Sequence, residues 1–161
     1  MKRFLIAFSL VLGMFTVMSA KDAIANKEGS LGLGAYMGGG LKNGISAKYW
    51  IDTENAVDAV LSFASGDYEY TYFHADYLIH KYGVATVDEG EIPLYFGLGL
   101  FTEDADEIAT SGVRLPVGIN YLLKDAPLDV YMEIAPTVVT GDIEGFYISG
   151  GFGFRYYFEQ K

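Results

Sequence analysis

The chain of 161 residues contains no cysteine. Disulfide bonds, thiolate catalysis and cysteine-based metal sites are therefore excluded, and hydrogen bonds and packing alone must hold the fold together. Positive charge is also scarce, with 11 Lys and Arg against 21 Asp and Glu. Because phosphate binding needs a basic face, this balance indicates that no nucleic acid is a partner.

The chain also lacks an apolar run of the roughly 20 residues that a transmembrane helix needs. Its longest apolar stretch follows two basic residues, covers residues 4–18 and ends at the small residues Ser19 and Ala20. This order is typical of a secretory signal peptide, which we predict over residues 1–20, with Ala25 as a second cleavage position. An uncleaved helical anchor is the alternative. Cleavage at Ala20 leaves 9 Lys and Arg against 21 Asp and Glu, a net charge of −12.

A helical apolar period is missing as well. After residue 25, no window keeps a 3.6-residue apolar repeat for three turns, whereas alternation by two recurs in eight segments. Those segments are residues 30–39, 45–51, 56–65, 71–82, 93–101, 112–123, 128–139 and 146–158. The 20 glycines and the 16% aromatic content also favour strands over helices. The segment lengths match the 9 to 11 or so residues with which a tilted strand crosses a bilayer.

Each segment has one apolar face and one face of small, polar or charged residues. In the last segment Phe152 and Phe154 alternate with Gly153 and Arg155. Every charge inside a segment lies on the polar face, as a lipid-facing barrel requires, because an outward Lys or Arg near the midplane costs about 2–4 kcal/mol. A soluble half-buried sheet gives the same alternation. The predicted signal peptide and the aromatic residues at the segment ends favour a membrane barrel over a soluble sheet.

The inward charges are few and opposite in sign. The bore of an eight-stranded barrel is just wide enough for side chains to fill, so charges inside it must pair. We predict two structural clusters that plug the lumen, each on sequential strands. One contains Arg114, Glu133 and Arg155, and the other contains Lys48, Asp58, His74 and Asp76.

Aromatic side chains gather at the segment ends. Such rings prefer the two membrane interfaces, so we predict two aromatic belts. The belts are represented by Tyr49, Phe63, Phe73, Tyr121 and Phe146, and the same ends carry Trp50, Tyr72, Tyr82, Phe101, Tyr156 and Phe158.

Only four prolines are present, and two of them interrupt strand segments. Pro116 and Pro136 each remove a ladder hydrogen bond and are normally confined to edges or bulges, so we expect a bulge at this place.

Two stretches, GVRLPVGINYLLKDAPLDVYMEIAPTVV and GGFGFRYYF, resemble the small eight-stranded outer-membrane barrels of the OmpA and OmpX type. The resemblance covers nearly all of the mature chain. It implies an outer-membrane location, contact with lipid and lipopolysaccharide, and a monomer. It also implies that the last strand, through Phe154, Tyr156 and Phe158, is the signal that the barrel assembly machinery recognises. Residues 159–161 follow as a short tail.

The polar residues offer one thin candidate for catalysis. His74 and Asp76 share a strand face with Ser62 on the neighbouring strand, which could form a catalytic triad. The His-x-Ser pattern of barrel deacylases is absent. His74 and His80 are separated by about 20 Å along a strand and cannot share a metal ion. No cofactor or metal site is expected.

An acidic loop contains Glu103, Asp104, Asp106 and Glu107. Carboxylates are suitable ligands for hard cations, but the ordered spacing of a calcium loop is absent. We interpret the loop as solvated, with weak Ca²⁺ or Mg²⁺ bridging to lipopolysaccharide as the alternative.

The sequence therefore predicts an all-β, eight-stranded antiparallel up-and-down transmembrane β-barrel over residues 29–158, preceded by a cleaved signal peptide. Its predicted role is structural or in surface interaction, with a plugged polar interior and no enzyme activity. One alternative is a lipid-modifying enzyme that uses His74. Another is a soluble periplasmic lipocalin-like protein with reversed parity, whose apolar cavity would be lined by Leu33, Phe96, Leu98 and Phe154.

Overall fold

A computed structural model of the chain describes residues 26–39, 42–64, 69–106 and 108–158. The predicted signal peptide and the tail at 159–161 lie outside these residues. No helix in the described part of the chain is long and apolar enough to cross a membrane.

The described residues form nine β-strands and every strand pairing is antiparallel. The strands are β1 (Leu31–Gly38), β2 (Asn43–Trp50), β3 (Asn55–Ala64), β4 (Tyr70–Val87), β5 (Gly90–Ala105), β6 (Ile108–Arg114), β7 (Val117–Leu123), β8 (Leu128–Gly141) and β9 (Gly145–Phe158).

The sheet closes on itself, because the first strand pairs with the last. In that seam Leu31 lies opposite Phe158 and Gly38 opposite Gly151. Strands β6 and β7 both pair with β5 on one side and with β8 on the other. Together they occupy one strand position of the barrel wall, and we call each such position a stave. Eight staves in sequence order make an up-and-down barrel, and the predicted fold class is confirmed.

The sixth stave is split at Leu115 and Pro116 because proline has no N–H to donate. Gly97 N donates to the Pro116 carbonyl and Leu115 N donates to the Pro136 carbonyl, each at 2.9 Å. In each of these two residue pairs, the proline carbonyl accepts one ladder hydrogen bond, but the proline has no N–H to donate the second. The registers of β6 and β7 against β5 and β8 are continuous across the split. The bulge expected at these prolines is therefore wrong, because the missing bonds break the ladder without adding a residue.

A register shift occurs elsewhere, between Lys81 and Ala85 where β4 pairs with β5. Gly83 lies within it at φ +80°, a left-handed conformation that glycine adopts without strain. The β4–β5 hairpin continues past the last β3–β4 pair, Asn55 with Ile79, at the end of the barrel where the first strand begins. We call this the terminal end and the opposite one the loop end.

The two faces of the barrel wall differ sharply in polarity. Large apolar side chains cover the outside, whereas the inside is packed with charged, polar and aromatic groups. A lipocalin-like cavity would require the apolar side chains to point into the barrel. They point outward, so that alternative is wrong. Its four proposed lining residues are exposed by 42 to 58% on the outer face: Leu33, Phe96, Leu98 and Phe154.

Candidate functional site

The interior of the barrel is the candidate site, because it concentrates the ionisable side chains. All seven residues predicted for the interior are at most 3% exposed: Lys48, Asp58, His74, Asp76, Arg114, Glu133 and Arg155. The alternating backbone of each strand directs them inward. Asp129, Asn120 and His80 are equally buried among them.

Arg155, on β9, bridges two carboxylates from different sides of the lumen. Its Nε donates to Asp129 Oδ1 at 3.1 Å and its Nη1 donates to Asp58 Oδ2 at 3.2 Å. The guanidinium carbon lies 3.9 Å from the centre of the Tyr131 ring, within cation–π range. Tyr157 donates a further hydrogen bond to Asp129 at 2.8 Å. Charge, hydrogen bonding and stacking therefore all compensate the burial of Arg155.

Arg114, on β6, forms a second bridge. Its guanidinium pairs with Glu133 and lies 3.4 Å from Asp76, measured from Nε to Oδ2. It also donates to Tyr72 Oη at 3.1 Å and to Nδ1 of His74. Tyr95 donates to the second oxygen of Glu133 at 3.0 Å. This network joins β4, β5, β6 and β8 through the interior.

Lys48 makes a third set of contacts toward the terminal end. Its Nζ lies 2.8 Å from His80 Nε2 and 3.1 Å from Asn120 Oδ1. His80 Nδ1 is 3.0 Å from the Glu54 carbonyl, so Nδ1 carries the proton and Nε2 accepts from Lys48. The ammonium also lies 4.2 Å from the Trp50 ring centre.

Pairs within each predicted cluster are observed, Arg114 with Glu133 and His74 with Asp76, but the two predicted clusters are not separate. Arg114 pairs with Asp76 from the other predicted cluster, Arg155 pairs with Asp58, and Lys48 has His80 and Asn120 as its partners. The physical reason is the narrow bore, across which long side chains reach as readily as they reach along the wall. Among the described residues, the interior holds three cations and four carboxylates. The fourth carboxylate is that of Asp129, which the predicted clusters left out. Its parity with Glu133 on the same strand was the signal that could have found it.

Asp58, His74 and Asp76 bring one ligand atom each within 4.8 Å of one another. Arg114 and Tyr72 both contact His74 Nδ1, and a guanidinium can only donate. Nδ1 is therefore an acceptor, and the proton of a neutral ring is on Nε2, facing Asp76 Oδ2 at 3.8 Å. A protonated nitrogen is not a metal ligand, so this group fits a hydrogen-bond network better than a cation site.

The catalytic alternative also depends on His74. The imidazole and the Ser62 side chain are 1% and 0% exposed and lie inside the wall. A lipid tail on the outer surface would have to pass through the sheet to reach either group. The geometry gives His74 packing partners, with Tyr36 and Tyr72 edge-on to its ring at 5.9 and 5.5 Å between ring centres.

At the loop end, an aromatic layer covers the charged interior. Its buried members are Tyr36, Val60, Tyr70, Tyr72, Phe101, Tyr131 and Val139, with Ala105 and Tyr147 packed against them. Above this layer lies a cavity of about 700 Å³, which we call the mouth cavity. Lys42 pairs there with Glu103 at 2.6 Å. Of the predicted acidic loop, Glu103 and Asp106 line the cavity, whereas Glu107 lies outside the described residues.

The predicted aromatic belts divide between the two faces. Tyr49, Phe63, Phe73 and Phe146 are exposed on the outside by 41 to 66%, and Tyr121 is partly exposed. Trp50, Tyr72 and Phe101 are at most 4% exposed and face inward, so their assignment to a belt is wrong. Their parity places them inside even though they lie near strand ends. Phe154, Tyr156 and Phe158 share the outer face of β9, and the rings of Tyr156 and Phe158 are 5.1 Å apart.

A closed eight-stave barrel with an apolar exterior and a charged interior is the fold of the small outer-membrane β-barrels, as the sequence resemblance predicted. The structure is similar to the crystal structure of the N-terminal β-barrel domain of Pseudomonas aeruginosa OprF, with a TM-score of 0.58 and 13% identity over 81% of this chain and 98% of that chain. The crystal structure of Ail, the attachment invasion locus protein of Yersinia pestis, matches with a TM-score of 0.38 and 12% identity over 81% of this chain and 99% of that one. No protein-family model matches the sequence, and no curated protein matches it either.

Proposed function

We propose that the chain is a monomeric outer-membrane β-barrel with a structural or surface-interaction role in the cell envelope. The observation that carries this proposal is the distribution of side chains across the wall. Leu98, Leu100 and Met132 are exposed by 58 to 64% on the outside, where lipid would cover them, whereas the inward charges are buried and both inward arginines are paired with carboxylates. An apolar outer band of this kind would be costly in water.

Export through the predicted signal peptide and assembly through the terminal strand belong to the same proposal. Phe154, Tyr156 and Phe158 form the apolar edge that the assembly machinery would recognise. The outer band would then contact membrane lipid and the lipid part of lipopolysaccharide.

The proposed interior is sealed. Arg114 and Arg155 cross the bore to reach carboxylates on other strands, and the aromatic layer lies between them and the loop end. An eight-stranded barrel has no spare width once such side chains fill it. We therefore expect no steady large conductance in planar bilayers, and such a conductance would contradict the sealed interior.

Membrane fractionation tests the location. Inner and outer membranes are separated on a density gradient, and the outer fraction is run on a gel with and without boiling. We expect recovery in the outer membrane and a heat-dependent shift in mobility, since a folded barrel keeps its compact shape in cold detergent. Recovery in the soluble periplasmic fraction would contradict the proposal.

A lipid-modifying activity is not favoured. It would require His74 to meet a lipid, and the imidazole is enclosed by Arg114, Tyr36 and Tyr72 inside the wall.

A further inference from the structure

The mouth cavity at the loop end is a second polar site, separate from the buried charges. It lies between the tips of the β5–β6 and β8–β9 hairpins. Its volume of about 700 Å³ falls in the range of about 300–1,000 Å³ that is usual for small-molecule sites. Apolar side chains form much of its lining: Ala105, Ile108, Val139, Ile143 and Phe146.

One side chain of the protein shows what this cavity can hold. The Lys42 ammonium pairs with Glu103 Oε2 at 2.6 Å. It also lies 4.5 Å from the centre of the ring of Tyr72, which belongs to the buried aromatic layer beneath the cavity, and 6.0 Å from that of Tyr147, which lines the cavity. A carboxylate together with two ring faces is the arrangement that recognises organic ammonium groups, because the ring quadrupole attracts the cation. Lys42 therefore stands where the ammonium of a ligand would bind.

The charge of the lining favours a cation in addition to Lys42. Three carboxylates line the cavity, from Glu103, Asp106 and Glu144, and Lys42 is the one basic residue among the described lining residues. Side-chain exposures of 17% for Lys42 and 21% for Glu103 show that water still reaches the pair. A competing ammonium can thus reach Glu103 from solvent.

We propose that the mouth cavity binds amphipathic organic cations, with the ligand's ammonium on Glu103, Tyr72 and Tyr147 and its apolar part against Ile108 and Ile143. Lys42 competes for the same carboxylate and ring faces. Binding requires the Lys42 ammonium to leave, so the lysine weakens the affinity of the site. Cation binding of this kind involves the loop end alone and is separate from the proposed envelope role.

Benzyltrimethylammonium is a suitable probe, with benzyl alcohol as its neutral counterpart. The protein is folded in phosphatidylcholine nanodiscs, folding is checked by the heat-dependent gel shift, and the probe is titrated by calorimetry against loaded and empty discs. We expect saturable binding of the cation only. Lys42→Met should tighten it about tenfold, because the internal competitor is gone.

Glu103→Gln in the Lys42→Met background should weaken binding about tenfold, because the countercharge is lost. Tyr147→Leu in the same background removes one ring and should weaken it severalfold while the carboxylate remains. Asp88→Asn, in the turn between β4 and β5 at the terminal end, is the matched control and should leave affinity unchanged. No saturable heat with Lys42→Met would overturn the proposal, and so would equal affinities of Lys42→Met with and without Glu103→Gln.

Discussion

Arg155 shows at the scale of one residue how a charge is kept inside a narrow barrel. It is fully buried, and its partners are Asp129, Asp58 and the Tyr131 ring. A buried ion pair contributes little net stability compared with apolar packing, but removing one member leaves the other charge without compensation. The contribution of Arg155 is therefore seen best by deleting it.

Arg155→Met should lower the free energy of unfolding by about 3–5 kcal/mol, because two buried carboxylates lose their cation. Lys81→Met is the matched control. Its partner is Glu54 at 3.1 Å, and both side chains are more than half exposed, so we expect a loss below about 1 kcal/mol. Urea unfolding in lipid vesicles measures both variants. Equal losses would show that the interior pairs are not desolvated.

Asp52 organises the turn between β2 and β3. The Asn55 side chain and the backbone N–H groups of Glu54 and Asn55 donate to its carboxylate at 2.7 to 3.0 Å. These hydrogen bonds, led by that of the Asn55 side chain, lower the pKa of Asp52 below its ordinary value of 3.8. They are made to the charged form and weaken when it is protonated.

The stability that Asp52 contributes is accordingly present above its unfolded pKa of 3.8 and is lost as the pH falls through the lower folded value. The difference in unfolding free energy between the wild type and Asp52→Ala should be constant near neutral pH and should shrink as the pH falls below 3.8. Unfolding curves at a series of pH values give this difference. A difference that grows on acidification would mean that the hydrogen bonds favour the protonated acid.

At the scale of elements, the seam between β1 and β9 closes the barrel. Gly34 lies opposite Arg155 in that seam. A Cβ on Gly34 would lie 2.7 Å from Arg155 Cα, and the Phe154 carbonyl is also in its way. Backbone cannot give way as a flexible side chain can, so the two strands would have to separate.

Gly34→Ala should cost about 1–3 kcal/mol through overpacking at the seam. A Cβ on Gly145, at the start of β9, would meet no atom within 4 Å and the φ there is unstrained, so Gly145→Ala should change stability by less than about 0.5 kcal/mol. The midpoint of urea unfolding in vesicles compares the two variants. A neutral Gly34→Ala would show that the seam has room to adjust.

At the scale of the whole molecule, the outer apolar surface determines which solvent the barrel prefers. Leu98 lies in the middle of β5 and is 58% exposed, and Val84 lies in the projecting hairpin at the terminal end and is 62% exposed. The two residues are similarly exposed but lie at different heights along the barrel. Comparing substitutions at them therefore separates the effect of depth in the lipid from the effect of burial.

Leu98→Arg should destabilise the protein in phosphatidylcholine bilayers by about 2–4 kcal/mol, because a charge would face the bilayer midplane. Val84→Arg should cost about 0–1 kcal/mol, since it lies near or beyond the interface. Guanidinium unfolding of the inserted protein measures both losses. If both substitutions were neutral, water rather than lipid would surround the outer face.

Several features of the whole molecule were predictable from local pattern. Alternation by two predicts which residues share a face, and the parity of Lys48, Arg114 and Glu133 placed them inside, where the structure has them. Alternation does not show how far along the barrel axis a residue lies or which side chains it contacts. It therefore missed that Arg114 pairs with Asp76 and Arg155 with Asp58, both acids of the other predicted cluster, and it assigned the buried Trp50 to an outer belt.

The amino-acid sequence by itself determined the fold class, because strand period, segment length and the face that carries charge are properties of neighbouring residues. Only the tertiary structure decided how the barrel closes and which charges meet. Arg155 and Asp58 are 97 positions apart in sequence, and their contact depends on the bore that all eight staves define. The contacts of Lys42 at the mouth cavity have the same origin, since Lys42, Tyr72, Glu103 and Tyr147 come from four separate segments that closure of the sheet brings to one end.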